Sequence, residues 1–380
     1  MIKRWFPPLR AESDKLRNLD LLRFIAAYGV VLYHFRVYAP DLHISVHASW
    51  DFLPLFVDLF FAISGFVISF VYFDRMSTWS EFGAFMKRRA ARLVPLHWLT
   101  LFAFAAIGLS IYLGVQVKEP DRYDWQCFLP NLFLIHSLSV CDRLTFNYPS
   151  WSISVEILLY CLFPVFCAVA RRSPWLLIAA ALTIIAWLAG TEFRPANAEL
   201  YWIDYTYAGG FARGVPSFLI GICLFLWRFK LAWLPKPELA MYVALVVFLA
   251  LGLAGATPFY LLPLVYIIVA VAISADVQGK ISALPARVSV IGQLTYSIYM
   301  LHPLAATILL TFVGGRLLHL GPVAMSIWCV VVAALLTVLA YFSFAWFETP
   351  MRRWISSFKL RAGERTPAPE QRTSGVERQY

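Results

Sequence analysis

Ten stretches of the chain are apolar over the thickness of a lipid bilayer or nearly so. They are residues 21–38, 52–73, 93–114, 150–170, 174–190, 207–229, 239–255, 258–275, 288–312 and 323–347. Crossing the hydrocarbon takes about 20 helical residues, and every backbone polar group inside it must be paired within the segment. The pattern predicts an all-α polytopic integral membrane bundle of about ten transmembrane helices. Runs 174–190 and 258–275 are the shortest. Composition agrees, since only 14% of the 380 residues are charged, against about 25% in soluble domains.

A net charge of +10 raises the question of nucleic acid, and the distribution of the basic residues answers it. Placing the N-terminus in the cytoplasm puts most of them in inner segments. Lys3, Arg4, Arg10, Lys15 and Arg17 fall in the N-terminal arm, and Arg75, Lys87, Arg88, Arg89 and Arg92 in the first inner loop. Arg171, Arg172, Arg228, Lys230, Lys236, Lys280 and Arg287 occupy later inner loops, and Arg352, Arg353 and five more lie in the tail. The outer loops carry Glu119, Asp121, Asp124, Asp142, Glu192, Glu199 and Asp204. This is the positive-inside pattern, with both termini cytoplasmic. The basic balance reports topology, and no nucleic-acid partner is expected.

Residues 1–18 read as a basic cytoplasmic arm, 19–357 as one transmembrane domain and 358–380 as a polar, disordered tail. No cleavable signal peptide is expected, because the first apolar run is too long for one. The largest extramembrane feature is an outer loop over about 115–149. Its middle, CFLPNLFLIHSL, is too short to cross and reads as interfacial or re-entrant. Cys127 and Cys141 share this loop and could pair if it faces an oxidising periplasm. Cys161, Cys167, Cys223 and Cys329 fall in apolar runs as packing residues.

Ionisable groups in hydrocarbon are costly and mark functional sites. Arg23 and His34 both lie in LDLLRFIAAYGVVLYHF, residues 19–35. Eleven steps of about 100° make three turns plus roughly 20°, so both share one helix face about 16 Å apart. In the second run, FVDLFFAISGF puts Asp58 near the depth of His34, and a carboxylate there would orient the imidazole and stabilise its cation. Ser64-Gly65 would permit a close helix crossing or a local break. In the fourth run, SWSISVEILLY puts Glu156 in the same outer half, either beside His34 or paired with Arg213 of ARGVPSFLIG. His34, Asp58 and Glu156 are therefore the candidate catalytic groups.

The inner string KRRAARLVP clusters Arg88, Arg89 and Arg92 ahead of Pro95, either as a solvated anchor or, beside Arg23, as a site for a phosphorylated ligand. LTYSIYMLHPL places Tyr296, Tyr299 and His302 in the ninth run, with Tyr299 expected as aromatic core packing and Pro303 expected to kink the helix and free carbonyls. Arg213, Tyr296 and His302 are candidate substrate-binding residues. No metal site is expected.

In chain order these strings resemble the acyltransferase 3 family of ten-span membrane acyltransferases. Arg23 and His34 match its arginine, ten residues, histidine pattern; Val57–Phe66 its VDxFFxxSGF; and Arg89, Arg92 and Pro95 its RxxR with a following proline. Trp151–Glu156 matches WSLSVE with Ile153 for leucine, and Arg213–Gly221 matches RxxxxFxxG. Tyr296–His302 resembles YSxYLxHxP, with Met300 for leucine and Pro303 directly after the histidine, and Phe347–Pro350 resembles the FE-x-P ending. The likeness runs over about 18–355.

The resemblance implies transfer of an acyl group from cytoplasmic acyl-CoA, with acetyl-CoA the expected donor, to a hydroxyl at the outer side of a bacterial inner membrane. The acceptor would be a surface or exported glycan or a lipid-linked saccharide. Arg23, Arg88, Arg89 and Arg92 would hold the coenzyme A phosphates, and the pantetheine arm would rise beside the first helix. His34 would act as base or as acyl carrier, oriented by Asp58 or Glu156. Some members carry a fused extracytoplasmic hydrolase-like domain, and none is expected here. One rival is a glycan or lipid-linked sugar transporter with an intramembrane proton relay; it predicts inverted repeats, which the sequence lacks. The other is a catalytically dead structural subunit, which need not keep Arg23, His34 and Glu156.

Overall fold

The computed structural model describes residues 16–39, 50–117, 119–192, 202–279 and 282–358. The basic arm up to Lys15, Glu199, Lys280 and the tail from Lys359 lie outside them. Among the described residues there is no β-strand. Ten long helices follow the ten apolar runs: α1 (Arg17–Phe35), α2 (Leu55–Tyr72), α3 (Trp79–Tyr112), α4 (Trp151–Arg172), α5 (Pro174–Glu192), α6 (Gly210–Leu226), α7 (Pro237–Leu253), α8 (Pro258–Gln278), α9 (Thr295–Ala305) and α10 (Pro322–Phe342). After α9 the chain continues in wider π-type turns over Ala306–Leu317, and after α10 over Ser343–Glu348, before a last helical segment, Thr349–Ser357.

Six helical stretches among the described residues are long and apolar enough to cross a membrane: Leu55–Arg75, Trp79–Tyr112, Tyr148–Arg172, Pro258–Gln278, Ile291–Leu317 and Pro322–Ser357. Pro174–Gly190, Gly210–Leu226 and Pro237–Leu253 are apolar but shorter. Helix α1 carries Arg17, Asp20 and Arg23 and belongs to neither group. A multi-pass helical architecture follows, and the expected count of ten leans on α1 and the three short helices.

The string KRRAARLVP, expected in the first inner loop at the start of a helix, lies well inside α3. A capping box starts this helix early: Thr78 Oγ1 accepts from Glu81 N at 3.2 Å while Glu81 Oε2 accepts from Thr78 N at 3.0 Å. Arg88, Arg89 and Arg92 therefore stand on a continuous helix that also takes in Pro95.

Helix α2 is the central strut, packed on α6, α8 and α1. Its approach to α6 is a backbone contact. A Cβ on Gly65 would lie 2.1 Å from the Phe218 carbonyl oxygen, and one on Gly221 would lie 2.1 Å from that of Ala62. The close crossing expected at Ser64-Gly65 is thus present.

Contacts sort the helix termini into two ends. Asp276 at the end of α8 accepts from Asn18 N at 2.9 Å and Nδ2 at 2.8 Å, and Arg171 donates to Phe73 O at 2.6 Å. Arg88 and Arg89 both donate to the Tyr72 hydroxyl, at 3.1 and 3.2 Å. These termini carry the arginines and form a basic end. At the opposite end the segment between α3 and α4 folds inward. Its polar side chains Asn131, His136, Ser137 and Asn147 are buried, while Leu129, Phe133, Ile135 and Leu138 face outward. Asn131 donates to Cys127 O at 2.8 Å and Thr145 Oγ1 at 2.9 Å, and Asn147 to Thr100 Oγ1 at 2.8 Å. A disulfide joins Cys127 to Cys141.

Candidate active site

Two cavities enter the bundle, one from each end. The cavity at the basic end, about 350 Å³, is lined by Arg23 of α1, Ser64 of α2, Arg89 and Arg92 of α3, Glu156 and Tyr160 of α4, and Tyr296 and Tyr299 of α9. Arg23 is steadied by Asp20 one turn earlier, at 3.5 Å. Glu156 Oε1 accepts from Ser64 Oγ at 2.8 Å and from the Tyr160 hydroxyl. Tyr296 donates its hydroxyl to the Leu93 carbonyl of α3. Three of the four arginines expected to act together line this space. Arg88 stands apart, over the Tyr72 ring at 5.2 Å.

The opposite cavity is larger, about 940 Å³, and its lining includes His34, Arg36, Arg122, Tyr148, Trp151, Arg213 and Tyr299. His34 stacks on His302, with ring centroids 5.1 Å apart and 19° between planes, and meets Tyr148 edge-on at 4.7 Å. Arg122 covers the Tyr148 ring at 4.5 Å. Val57 and Tyr299 line both cavities, so the two spaces meet at these side chains. Tyr299 is held by its hydroxyl, which donates to Pro149 O at 3.0 Å and shares a 2.8 Å contact with Ser152 Oγ.

The position of His302 follows from the proline after it. Pro303 has no N–H, so the carbonyl four residues back, that of Tyr299, loses its helical donor. The His302 Nδ1–H supplies one instead, at 2.7 Å. That bond fixes the tautomer and leaves Nε2 as a buried lone pair with no hydrogen-bond partner. The helix regains its pairing beyond this point through the wide turns after Ala305.

The structure separates the three candidate catalytic groups. Asp58, expected to orient His34, is bound to Arg213, which reaches it from α6 at 2.7 Å through Nη2 and 3.3 Å through Nε. Arg213 also donates to Pro54 O at 2.9 Å and to Ile203 O, and lies between the Trp151 and Trp202 rings. A guanidinium at the start of a buried helix needs a carboxylate, and Asp58 across the α2–α6 contact is the one it meets. Glu156 is in the other cavity, with Ser64 rather than Arg213. His302, expected only as a binding residue, is what packs on His34. The sequence reading missed Tyr148 and Arg122. Tyr148 stands three residues ahead of the tryptophan that opens WSISVE, and Arg122 is flanked by the loop acids Asp121 and Asp124.

Comparison with known proteins gives the arrangement a family. No solved structure matches the chain. Acyltransferase MdmB of Streptomyces mycarofaciens is 27% identical over 332 residues, covering 80% of this chain and 82% of its own length. Protein 2 in the picA locus of Rhizobium radiobacter is 30% identical over 199 residues, 48% of this chain and 99% of its own length. The family model described as an acyltransferase domain matches residues 16–346, a range that takes in both cavities and every residue lining them. The chain belongs to the acyltransferase 3 family and is a membrane acyltransferase.

Proposed function

We propose that the chain transfers an acyl group, acetyl in the first instance, from cytoplasmic acyl-CoA to a hydroxyl of a glycan or lipid-linked saccharide, across a bacterial inner membrane. All ten helices then span, with both termini in the cytoplasm. The observation that carries this reading is the meeting of the two cavities at Val57 and Tyr299, one lined by arginines and the other by His34. The donor's phosphates would sit on Arg23, Arg89 and Arg92, which offer forked donors to phosphate oxygens. Its pantetheine arm would run the roughly 16 Å that separates Arg23 from His34 along α1. Glu156, held by Ser64 and Tyr160, would accept from the arm's amide N–H groups on the way. Asp58 would act indirectly, by holding Arg213 in the wall of the acceptor cavity.

At the junction a nitrogen of His34 takes the acceptor's hydroxyl proton as that oxygen attacks the thioester carbonyl. The carbon–sulfur bond breaks, and the departing thiolate takes the proton back from the imidazolium. The products are the ester and free coenzyme A. His302 packs against one face of the ring and limits its rotation.

Thermal unfolding of the purified protein with acetyl-CoA tests the donor assignment. A ligand at 100 times its Kd adds about 2.7 kcal/mol to the folded state. Millimolar acetyl-CoA is expected to raise the midpoint in wild type and in His34→Ala, and to do so far less in Arg23→Ala. No shift in wild type would remove acyl-CoA as the donor.

A further inference from the structure

A third cavity, about 230 Å³, lies between the end of α3, the residues that follow it and the wide turns after α9. Its lining includes Ile107, Val115, Ile308, Phe312, Thr311 and Arg122. Its exposed rim mixes apolar side chains, Val115 at 47%, Ile308 at 44% and Phe312 at 56%, with Gln116, Glu119 and Arg316. Tyr38, Glu119, Arg122 and Thr307 line both this groove and the His34 cavity, so the two adjoin at these side chains. Arg122 stands at the join. Its Nε donates to Phe146 O at 2.7 Å and its plane covers Phe104 and Tyr148, yet its buried Nη2 has no hydrogen-bond partner. A buried guanidinium N–H without an acceptor is costly.

We infer that this groove seats the apolar chain of an amphipathic acceptor, which enters from the bilayer side with its sugar leading. An oxygen of the sugar accepts from Arg122 Nη2, and a neighbouring hydroxyl comes to rest in the His34 cavity. Lipid is as apolar as the groove, so the groove orients and selects the acceptor without adding hydrophobic affinity. The inference rests on the proposed acyl transfer and names the class of its acceptor: a hydroxylated head on a single apolar chain.

Nanodisc-embedded protein tests it with two readouts. The first is transfer from radiolabelled acetyl-CoA to n-octyl β-D-glucoside. Ile308→Trp fills the groove and is expected to lower this rate by about tenfold or more. Val246→Trp, on the exposed apolar face of α7, is expected to leave it unchanged. Partition of the glucoside into the disc is the same for both variants and cancels. The second readout needs no turnover: an alkyl glucoside carrying a diazirine at the chain end is photolysed and its adducts are mapped. Adducts concentrated on Val115, Ile308 and Phe312, and lost in Ile308→Trp, support the inference. Adducts spread evenly over the apolar belt, or a wild-type rate in Ile308→Trp, overturn it. Acetyl-CoA stabilisation, measured on the same samples, separates the two readings. Stabilisation without groove labelling sinks the acceptor inference alone, and groove labelling without stabilisation sinks the donor assignment alone.

Discussion

A single missing N–H shapes the reactive end of α9. Because Pro303 cannot pair with the Tyr299 carbonyl, His302 does, and its ring is turned flat against His34. Pro303→Ala would restore the N–H and release His302 Nδ1 from its fixed role. Steady-state kinetics should then show kcat reduced with acetyl-CoA stabilisation retained; an unchanged kcat would show that the His302 tautomer is irrelevant. His34→Ala removes the proposed base, and the rate should fall about a hundred- to ten-thousand-fold, the range for a lost general base. Normal turnover in that variant would sink the mechanism. Asp58 behaves differently, since its partner is Arg213 and both side chains are 1% exposed. Asp58→Ala leaves a buried cation and should cost about 3–5 kcal/mol, whereas Asp58→Leu with Arg213→Met should recover much of that loss. Equal destabilisation of the single and double variants would contradict the pairing. At this scale the sequence displayed which residues were expensive to bury but not which of them touch. Matching depth along two helices points Asp58 to His34, and depth says nothing of azimuth.

At the scale of the element, the sequence marked each helix by its apolar run and left the ends to local chemistry. Helix α3 shows the difference, because hydropathy begins it near residue 93 while the structure begins it at Trp79. The signal was present in Thr78-Trp79-Ser80-Glu81, a capping box that hydropathy does not register. The consequence is functional, since a helix through Lys87–Arg92 lets Arg89 and Arg92 line the cavity while Arg88, which shares Tyr72 with Arg89, stays outside it. The α2–α6 crossing was more legible, because small residues in an apolar helix signal close approach. Adding a methyl at Gly221 would drive it into the Ala62 carbonyl and force the two helices apart. Gly221→Ala should therefore lower the yield of monodisperse protein and its thermal midpoint, while Gly83→Ala on α3, where an added Cβ meets nothing within 4 Å, should do neither.

At the scale of the whole molecule, the two cavities meet because α1, α2, α4 and α9 bring their polar faces together, and the segment between α3 and α4 closes the end opposite the arginines. No periodicity announces that closure. The segment is too short to cross, and its value lies in polar side chains that fold inward while Leu129, Phe133 and Leu138 face out. One of those side chains makes the closure sensitive to acid. His136 shares a 3.2 Å contact with Ser150 Oγ, and its ring lies parallel to that of His97. Burial, and then His97, push its pKa from the ordinary 6.5 down to about 3. The unfolded chain therefore takes up a proton near pH 6.5 that the folded chain refuses until about pH 3. The stability tied to this group is whole above pH 6.5 and is lost as the pH falls towards 3. Between pH 7 and pH 5 that loss amounts to about 2 kcal/mol. The thermal midpoint in nanodiscs should fall over this interval, and His136→Asn, which keeps a neutral partner for Ser150, should flatten the slope while starting from a lower midpoint at pH 7. If His136→Asn keeps the wild-type slope, the acid sensitivity belongs elsewhere in the bundle.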